Sequence, residues 1–99
     1  MYLTSYIPQI RQLCENHKVG RLHAFGSVLT ERFSEESDVD LVVDFDGRAS
    51  EDYFNNYFDF KYSLEDVLKR KVDLLEEQAI RNPYLRQSID RSKQLIFGG

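Results

Sequence analysis

The segment Phe25-Gly26-Ser27, followed after ten residues by Asp38-Val39-Asp40, decides the fold and the function class of this chain. Successive side chains on a strand point to opposite faces, so Asp38 and Asp40 project from one face, about 6 to 7 Å apart. Gly26 allows the backbone to approach a ligand closely, and Ser27, if it begins a helix, presents N–H groups and a hydroxyl to an anion. The spacing therefore indicates part of a metal and nucleotide site.

The charge of the aspartate pair favours a divalent cation. Two ionised carboxylates about 6 Å apart repel each other by roughly 3 kcal/mol at an effective dielectric near 20. Without a metal, one of the two should hold its proton more tightly. Mg²⁺ prefers one or two carboxylates, water and substrate phosphates. The structural alternative treats Ser27 as a helix cap and both aspartates as the solvated face of an edge strand.

A third carboxylate, Asp73, lies inside the apolar run 72–75, which is short enough for a strand. A carboxylate within a core strand is costly unless it is paired or bound to a metal. One interpretation is a salt bridge to the preceding basic cluster, Lys69-Arg70-Lys71. The other, which we favour, is that Asp73 joins Asp38 and Asp40 at one metal site.

Three segments of the chain resemble the minimal nucleotidyltransferase (MNT) domains of the DNA polymerase beta-like superfamily. They are Phe25-Gly26-Ser27, Ser37-Asp38-Val39-Asp40-Leu41-Val42-Val43 and Arg70-Lys71-Val72-Asp73-Leu74-Leu75. The likeness extends from about residue 22 to residue 97. It implies the nucleotidyltransferase fold, of class α+β (α/β), with a small mixed sheet of three to four strands flanked by helices.

The resemblance also implies roles for individual residues. Asp38 and Asp40 would bind two Mg²⁺ ions and act in catalysis with Asp73, which matches the third carboxylate of the family. Gly26 and Ser27 would hold the triphosphate of ATP. Many family members carry an arginine directly after the serine, where this chain has Val28. Either Arg32, about one helical turn further on, replaces that arginine, or the phosphate contact is missing.

MNT proteins commonly act as antitoxins of HEPN-domain ribonuclease toxins. The resemblance thus implies transfer of AMP from ATP to a tyrosine of a HEPN-type partner, with pyrophosphate as the leaving group. Two other functions stay open from the residues themselves. One is a non-catalytic antitoxin that neutralises its partner by binding, and the other, weaker one is a metal-dependent nuclease.

Composition limits what else the chain can be. Its 99 residues, 41% of them apolar, predict a single domain over residues 1–99 with a packed core. A net charge of −4 argues against direct nucleic-acid binding, which usually depends on basic patches. The single cysteine, Cys14, predicts a buried thiol and a reducing cytoplasm. The N-terminal residues lack a signal-peptide pattern, and no segment approaches the roughly 20 apolar residues that cross a membrane.

Periodicity predicts the first half of the secondary structure. Thr4 or Ser5 would cap a helix that Gly20 ends, a strand would cover 21–25, and a helix 27–33. Residues 34–37 read as a polar loop. The strand 39–45 is the clearest in the sequence, with an apolar face and an acidic face that includes Asp44. Asp46-Gly47 would form the next turn.

In the second half, residues 50–52 signal the start of a helix, and an apolar stripe continues it to residue 68. The aromatic residues of this helix are expected mostly in the core, although a partner surface is the alternative. Asn82-Pro83 opens a helix to about residue 93, and residues 95–97 form a last short strand. His17 is interpreted as solvated and His23 as structural.

Overall fold

A computed structural model describes residues 1–46 and 52–98. The helices are α1 (Ile7–Asn16), α2 (Tyr53–Leu68) and α3 (Pro83–Ser92), and the strands are β1 (Val19–Phe25), β2 (Val39–Phe45), β3 (Val72–Glu76) and β4 (Gln94–Phe97). Short 3-10 turns cover Tyr2–Tyr6, Gly26–Leu29 and Glu77–Ala79. The expected turn at Asp46-Gly47 and the helix start at Ser50-Glu51 involve residues outside the described ranges.

The strands form one mixed sheet in the order β3-β2-β1-β4. β1 pairs antiparallel with β2 and with β4, whereas β2 and β3 run parallel. A parallel pair needs a crossover connection, and α2 lies in the chain between these two strands. The small mixed sheet with flanking helices confirms the fold class expected from the sequence.

The main core lies between one face of the sheet and the helices α1 and α2. Alternate β2 residues, Val39, Leu41 and Val43, are fully buried there. They belong to one apolar cluster with the inward residues of the two helices, which are Ile10, Cys14, Phe60, Leu64 and Leu68. The opposite face of β2 carries Asp40, Val42 and Asp44, so period-two alternation separates the core from the charged face.

The first helix differs from the expectation at both ends. It begins at Ile7 directly after the 3-10 turn, and neither Thr4 nor Ser5 caps it, since the N-cap is Tyr6 without a side-chain bond. It ends at Asn16 rather than at Gly20, which lies in β1. Lys18 adopts a left-handed φ of 61° and turns the chain into the strand. Lysine can adopt this conformation at a modest energetic cost. The expectation that a glycine ends the helix therefore placed the helix end at the wrong residue.

The prediction of a helix over residues 27–33 is wrong. Only the 3-10 turn Gly26–Leu29 forms, because Thr30 is extended at φ −125° and ψ 169°. The Thr30 hydroxyl donates a hydrogen bond of 3.0 Å to the carbonyl of Ser27, and the Thr30 N–H bonds the same oxygen. Local side-chain bonding of this kind competes with helix continuation.

The remaining elements agree more closely with the sequence predictions. The Asn82 side chain accepts hydrogen bonds from the N–H groups of Tyr84 and Leu85, at 2.9 and 3.2 Å, which confirms the expected cap of α3. His17 is half-buried rather than simply solvated, since its ring packs 5.5 Å from that of Phe60 and its Nδ1 lies 2.8 Å from the Leu13 carbonyl. Within residues 1–46 and 52–98, no helix has the length and apolarity to span a membrane.

Candidate active site

The parallel pairing of β2 and β3 brings two of the expected carboxylates side by side. Asp40 is the register partner of Asp73, and neighbouring positions in a sheet share a face. Asp38 immediately precedes β2 and has the same parity as Asp40. The three aspartates therefore lie at one end of the same sheet face, with Asp38 and Asp73 exposed and Asp40 half-buried.

Gly26 lies directly against this acidic group. Its predecessor Phe25 is the register partner of Asp40, and Gly26 has a φ of +76°. A Cβ at position 26 would overlap Oδ2 of Asp40 and stand 3.3 Å from its Cγ. The backbone conformation thus favours glycine here, and an added Cβ would displace the Asp40 carboxylate. The turn and the carboxylates are in contact, as the sequence spacing suggested.

The electrostatics of Asp40 reflect its neighbours. Burial raises the pKa of the Asp40 carboxyl above its usual value, and the charges of Asp73 and Asp38 raise it further. None of the three aspartates forms a salt bridge with a lysine, arginine or histidine in the described parts of the chain. The salt bridge considered for Asp73 with the cluster 69–71 is absent there, and the Arg70 guanidinium instead bonds the carbonyls of Ser34 and Ser37.

The donor set suits a hard cation that arrives with a nucleotide. Among residues 1–46 and 52–98, no three acidic, histidine or cysteine side chains are arranged to hold a metal by themselves. Mg²⁺ seldom needs such a cage, because it is usually held by one or two carboxylates together with phosphate oxygens and water. Carboxylates that share one face, lie beside a glycine turn and form no salt bridge within the described ranges fit that mode of binding.

The other expected nucleotide contacts are placed less favourably. Ser27 lies within the 3-10 turn, so no long helix directs its N-terminus at a phosphate. Arg32 is exposed beyond that turn, and because the helix ends at Leu29, it is not one helical turn after Val28. Val28 is only 2% exposed and belongs to the main core. The position that is arginine in many MNT domains therefore serves packing in this chain.

Two residues on the site face were named in the sequence analysis without a role in the site, Phe25 as part of the motif and His23 as structural. Phe25 pairs with Asp40, and His23 pairs with Val42, so both side chains share the face of the aspartates. Burial lowers the pKa of the His23 imidazole, and the charge of Lys93 lowers it further. The two-residue spacing of His23 and Phe25 was visible in the sequence. Their register against β2 was not.

The opposite end of the same face carries charges that are paired. Nη2 of Arg21 lies 3.0 Å from Oδ2 of Asp44 and 4.0 Å from Oε2 of Glu77. Nη1 of Arg86 in α3 lies 4.0 Å from Oε1 of Glu77. Asp44, two residues along β2 from Val42, is thus neutralised by an arginine on the neighbouring strand.

Comparison with known sequences identifies the family. The family model for nucleotidyltransferase domains matches residues 8–96. Two candidate protein adenylyltransferases of Methanocaldococcus jannaschii are 37% and 38% identical to this chain over 85 residues. Each alignment covers 86% of this chain and 82% of the relative.

Solved structures share the fold. A candidate minimal nucleotidyltransferase has a TM-score of 0.75 and 31% identity, with 93% of this chain and 90% of that chain covered. A toxin–antitoxin crystal structure with AMP-PNP has a TM-score of 0.73 at 19% identity, covering 94% of this chain and 73% of that one. The structure of a tri-AMPylated Shewanella oneidensis HEPN toxin in complex with MNT antitoxin has a TM-score of 0.69 at 18% identity, covering 100% of this chain and 74% of that one. At such low identity, the latter two likenesses show the fold alone.

Proposed function

This chain belongs to the nucleotidyltransferase domain family, and from that premise we propose that it transfers AMP from ATP to a tyrosine of a HEPN-type toxin partner and so acts as an antitoxin. The observation that carries the proposal is a group of three aspartates set beside the Gly26 turn on one sheet face, with no salt bridge to a basic side chain of residues 1–46 and 52–98. Relatives described as protein adenylyltransferases support the reaction class. Solved MNT–HEPN complexes of the same fold support the partner.

Each residue of the site has a defined role in this proposal. Asp38 and Asp40 would hold Mg²⁺ together with the triphosphate, and Asp73 would complete the site from β3. Gly26 lets the backbone approach the phosphates, and Ser27 offers its hydroxyl and N–H. Arg32 is retained as a proposed phosphate contact, since its exposed side chain is free to turn towards a bound nucleotide. Bound Mg²⁺ would supply charge neutralisation at the attacking and leaving oxygens.

The reaction forms one bond and breaks another at the α-phosphorus of ATP. The tyrosine oxygen of the partner attacks the α-phosphorus. The bond from the α-phosphorus to the oxygen that bridges the α- and β-phosphates breaks, and pyrophosphate leaves. The phenolic proton passes to Asp73, whose exposed carboxylate stands beside Asp40 at the open end of the face. Catalysis by this chain is then mainly positioning and electrostatic stabilisation.

The outward face of α2 is the surface that we assign to the partner. Phe54, Phe58 and Tyr62 follow one another at four-residue spacing, and their ring centroids are 4.9 and 5.8 Å apart along the series. Phe54 is 71% exposed and Tyr62 is 56% exposed. An exposed aromatic series of this kind is typical of protein interfaces. The aromatic residues expected in the core are therefore divided between the core and this face.

This aromatic surface of α2 connects to β3 through Tyr57, and it is acidic on one side. The Phe58 ring packs at 5.0 Å on that of Tyr57, which donates a hydrogen bond to the Leu74 carbonyl on β3. The charge of Asp73 contributes to a raised pKa of Tyr57, after burial and Glu76. Exposed acidic residues flank the aromatic series at seven-residue spacing, at Asp52, Asp59 and Asp66. A HEPN partner with an apolar helix bordered by lysine or arginine fits this surface, whereas a second copy would oppose like charges.

We also propose that residues 1–99 act as one catalytic domain in the cytoplasm. The four strands, α1 and α2 contribute to a single apolar cluster, which supports one folding unit. Cys14 is buried, and burial raises the pKa of its thiol to about 12, so the thiol is unreactive at neutral pH. A free buried thiol is typical of proteins in a reducing compartment.

The direct test is the mass of a co-expressed HEPN-domain partner after incubation with ATP and Mg²⁺. The proposal predicts a mass increase in whole AMP units on a tyrosine of the partner. The Asp38→Asn, Asp40→Asn double variant should give no increase. If that variant still labels the partner, the assignment of the site is wrong. If the wild-type chain binds the partner and leaves its mass unchanged, the chain neutralises by contact.

A further inference from the structure

Arg70, two residues before β3, lies against two neighbouring aromatic rings. Its Cζ lies 4.9 Å from the ring centroid of Tyr2 and 4.5 Å from that of Phe33. From that position, its Nη1 donates hydrogen bonds of 2.5 Å to the carbonyl of Ser34 and 3.0 Å to the carbonyl of Ser37. The two rings are neighbours, with centroids 5.1 Å apart, and both contact the guanidinium, whose N–H groups bind a loop.

The loop that Arg70 binds leads directly into Asp38. Ser34 and Ser37 also bond each other, through the Ser37 N–H to the Ser34 carbonyl at 3.1 Å and through their hydroxyls. On the other side of Asp38, the Val39 N–H donates to the carbonyl of Lys71 at 2.9 Å. The backbone on both sides of Asp38 is therefore held by the consecutive residues Arg70 and Lys71.

The Asp38 carboxylate itself has no comparable support. It is exposed and makes no salt bridge in the described parts of the chain, so the backbone of its loop sets its direction. The same short segment continues from Lys71 into β3 and to Asp73. One stretch of chain consequently determines where Asp38 and Asp73 stand relative to each other.

We propose that Arg70 is a positioning residue that aligns Asp38 with Asp40 and Asp73 for binding of Mg²⁺ with ATP. The inference rests on the proposed function for the role of Asp38, and the contacts of Arg70 carry the rest. Lysine is not equivalent, because its compact ammonium lacks the planar guanidinium that lies against both rings while Nη1 bonds the two carbonyls. Arg70 does not touch the nucleotide in this account, and its effect passes through the loop 34–37.

The experiment compares Arg70→Lys with Arg86→Lys. Arg86 is a matched control, since its Nη2 also donates to a backbone carbonyl, that of Glu77 at 2.6 Å, but at the far end of the sheet face. The dissociation constant of ATP with Mg²⁺ is measured by calorimetry in the absence of any acceptor, and the melting temperature is measured alongside. We expect Arg70→Lys to weaken binding on the order of tenfold, as loss of an outer support of a metal ligand usually does. Arg86→Lys should stay within about twofold of wild type.

A second variant and a kinetic measurement separate positioning from general stability. Phe33→Leu removes one ring from Arg70 and keeps the guanidinium, so it should weaken binding by a smaller factor. With a partner present, Arg70→Lys should raise the KM for ATP with Mg²⁺ and leave kcat within about twofold. Binding by Arg70→Lys equal to that of wild type, with only the melting temperature lowered, would make Arg70 purely structural. Absence of binding by the wild-type chain would contradict the proposed function itself, and the Arg70 role with it.

Discussion

Two acidic groups on the same sheet face differ in their partners. At one end, Asp38, Asp40 and Asp73 have no basic neighbour within salt-bridge distance in residues 1–46 and 52–98. At the other end, Asp44 pairs with Arg21 at 3.0 Å, and Glu77 lies 4.0 Å from Arg21. Asp40 and Asp44 lie on the same strand, so strand propensity does not explain the difference.

The difference distinguishes the candidate metal and nucleotide site at one end from the structural ion pair at the other. Carboxylates that lie close together without a counter-ion cost free energy, and the pKa of Asp40 is raised first by burial and then by the charges of Asp73 and Asp38. The Arg21–Asp44 pair carries no such cost, and its partly exposed position limits what it contributes to stability. We therefore expect substitutions at the two ends to change activity and stability in opposite ways.

The largest expected effect is on AMP transfer. The Asp38→Asn, Asp40→Asn double variant removes the charges that hold Mg²⁺, and loss of about 4 kcal/mol of charge stabilisation lowers the rate on the order of a thousandfold. Asp44→Asn is the matched control from the same strand face and should keep the rate within about twofold. Incorporation of labelled AMP into the partner gives both rates. A similar loss of AMP-transfer rate in the double variant and in Asp44→Asn would contradict the distinction between the two ends of the face.

The Gly26 turn offers the next largest effect. Gly26→Ala places a Cβ onto the Asp40 carboxylate at a φ of +76°, so the site must shift. We expect ATP affinity to fall on the order of tenfold, with about 1–2 kcal/mol of lost stability from the left-handed backbone. Gly98→Ala is the control, because Gly98 also has a positive φ, of +94°, and its Cβ would meet the Gly20 carbonyl. Calorimetric binding and chemical denaturation should show both variants destabilised and only Gly26→Ala impaired in binding.

The smallest effect concerns stability without ligand. Because the folded chain raises the pKa of Asp40, the stability of the chain falls as pH rises through that pKa, and the ionised carboxylate is unfavourable at pH 7. Asp40→Asn should therefore increase the melting temperature at pH 7, and the gain should shrink as the pH is lowered from the raised pKa of Asp40 to the usual pKa of aspartate. Asp44→Asn should instead lower stability by about 0.2–1 kcal/mol. Melting curves of both variants at pH 4 and pH 7 check the sign, and destabilisation by both at pH 7 would contradict the account.

The sequence was sufficient for the parts of the fold that alternation and local caps determine. The strand 39–45 and the Asn82 cap agree with the structure because period two and an Asn-Pro pair are local signals. Two predictions were wrong. The first helix ends before Gly20 because Lys18 adopts a left-handed conformation, and no helix covers residues 27–33 because Thr30 bonds the Ser27 carbonyl. Neither event has a reliable sequence pattern.

The site could be anticipated only as a set of residue types. Spacing placed Asp38 and Asp40 on one face, and the apolar run 72–75 together with the family resemblance added Asp73, but the register that sets Asp40 beside Asp73 is a tertiary property. The same holds for Arg70, which the sequence offered as a salt-bridge partner of Asp73 and which the structure uses to hold the carbonyls of Ser34 and Ser37. Long-range contacts of this kind leave no periodic signal.

The most direct test of the central claim is the melting temperature of the wild-type chain with ATP and Mg²⁺, measured against the Asp38→Asn, Asp40→Asn double variant. Ligand at 100 times its dissociation constant should stabilise the wild-type chain by about 2.7 kcal/mol, which corresponds to a shift of roughly 10 °C or more in a domain of this size. The double variant should show no shift. An equal shift in both proteins, or none in the wild-type chain, would contradict a nucleotide site built on these aspartates.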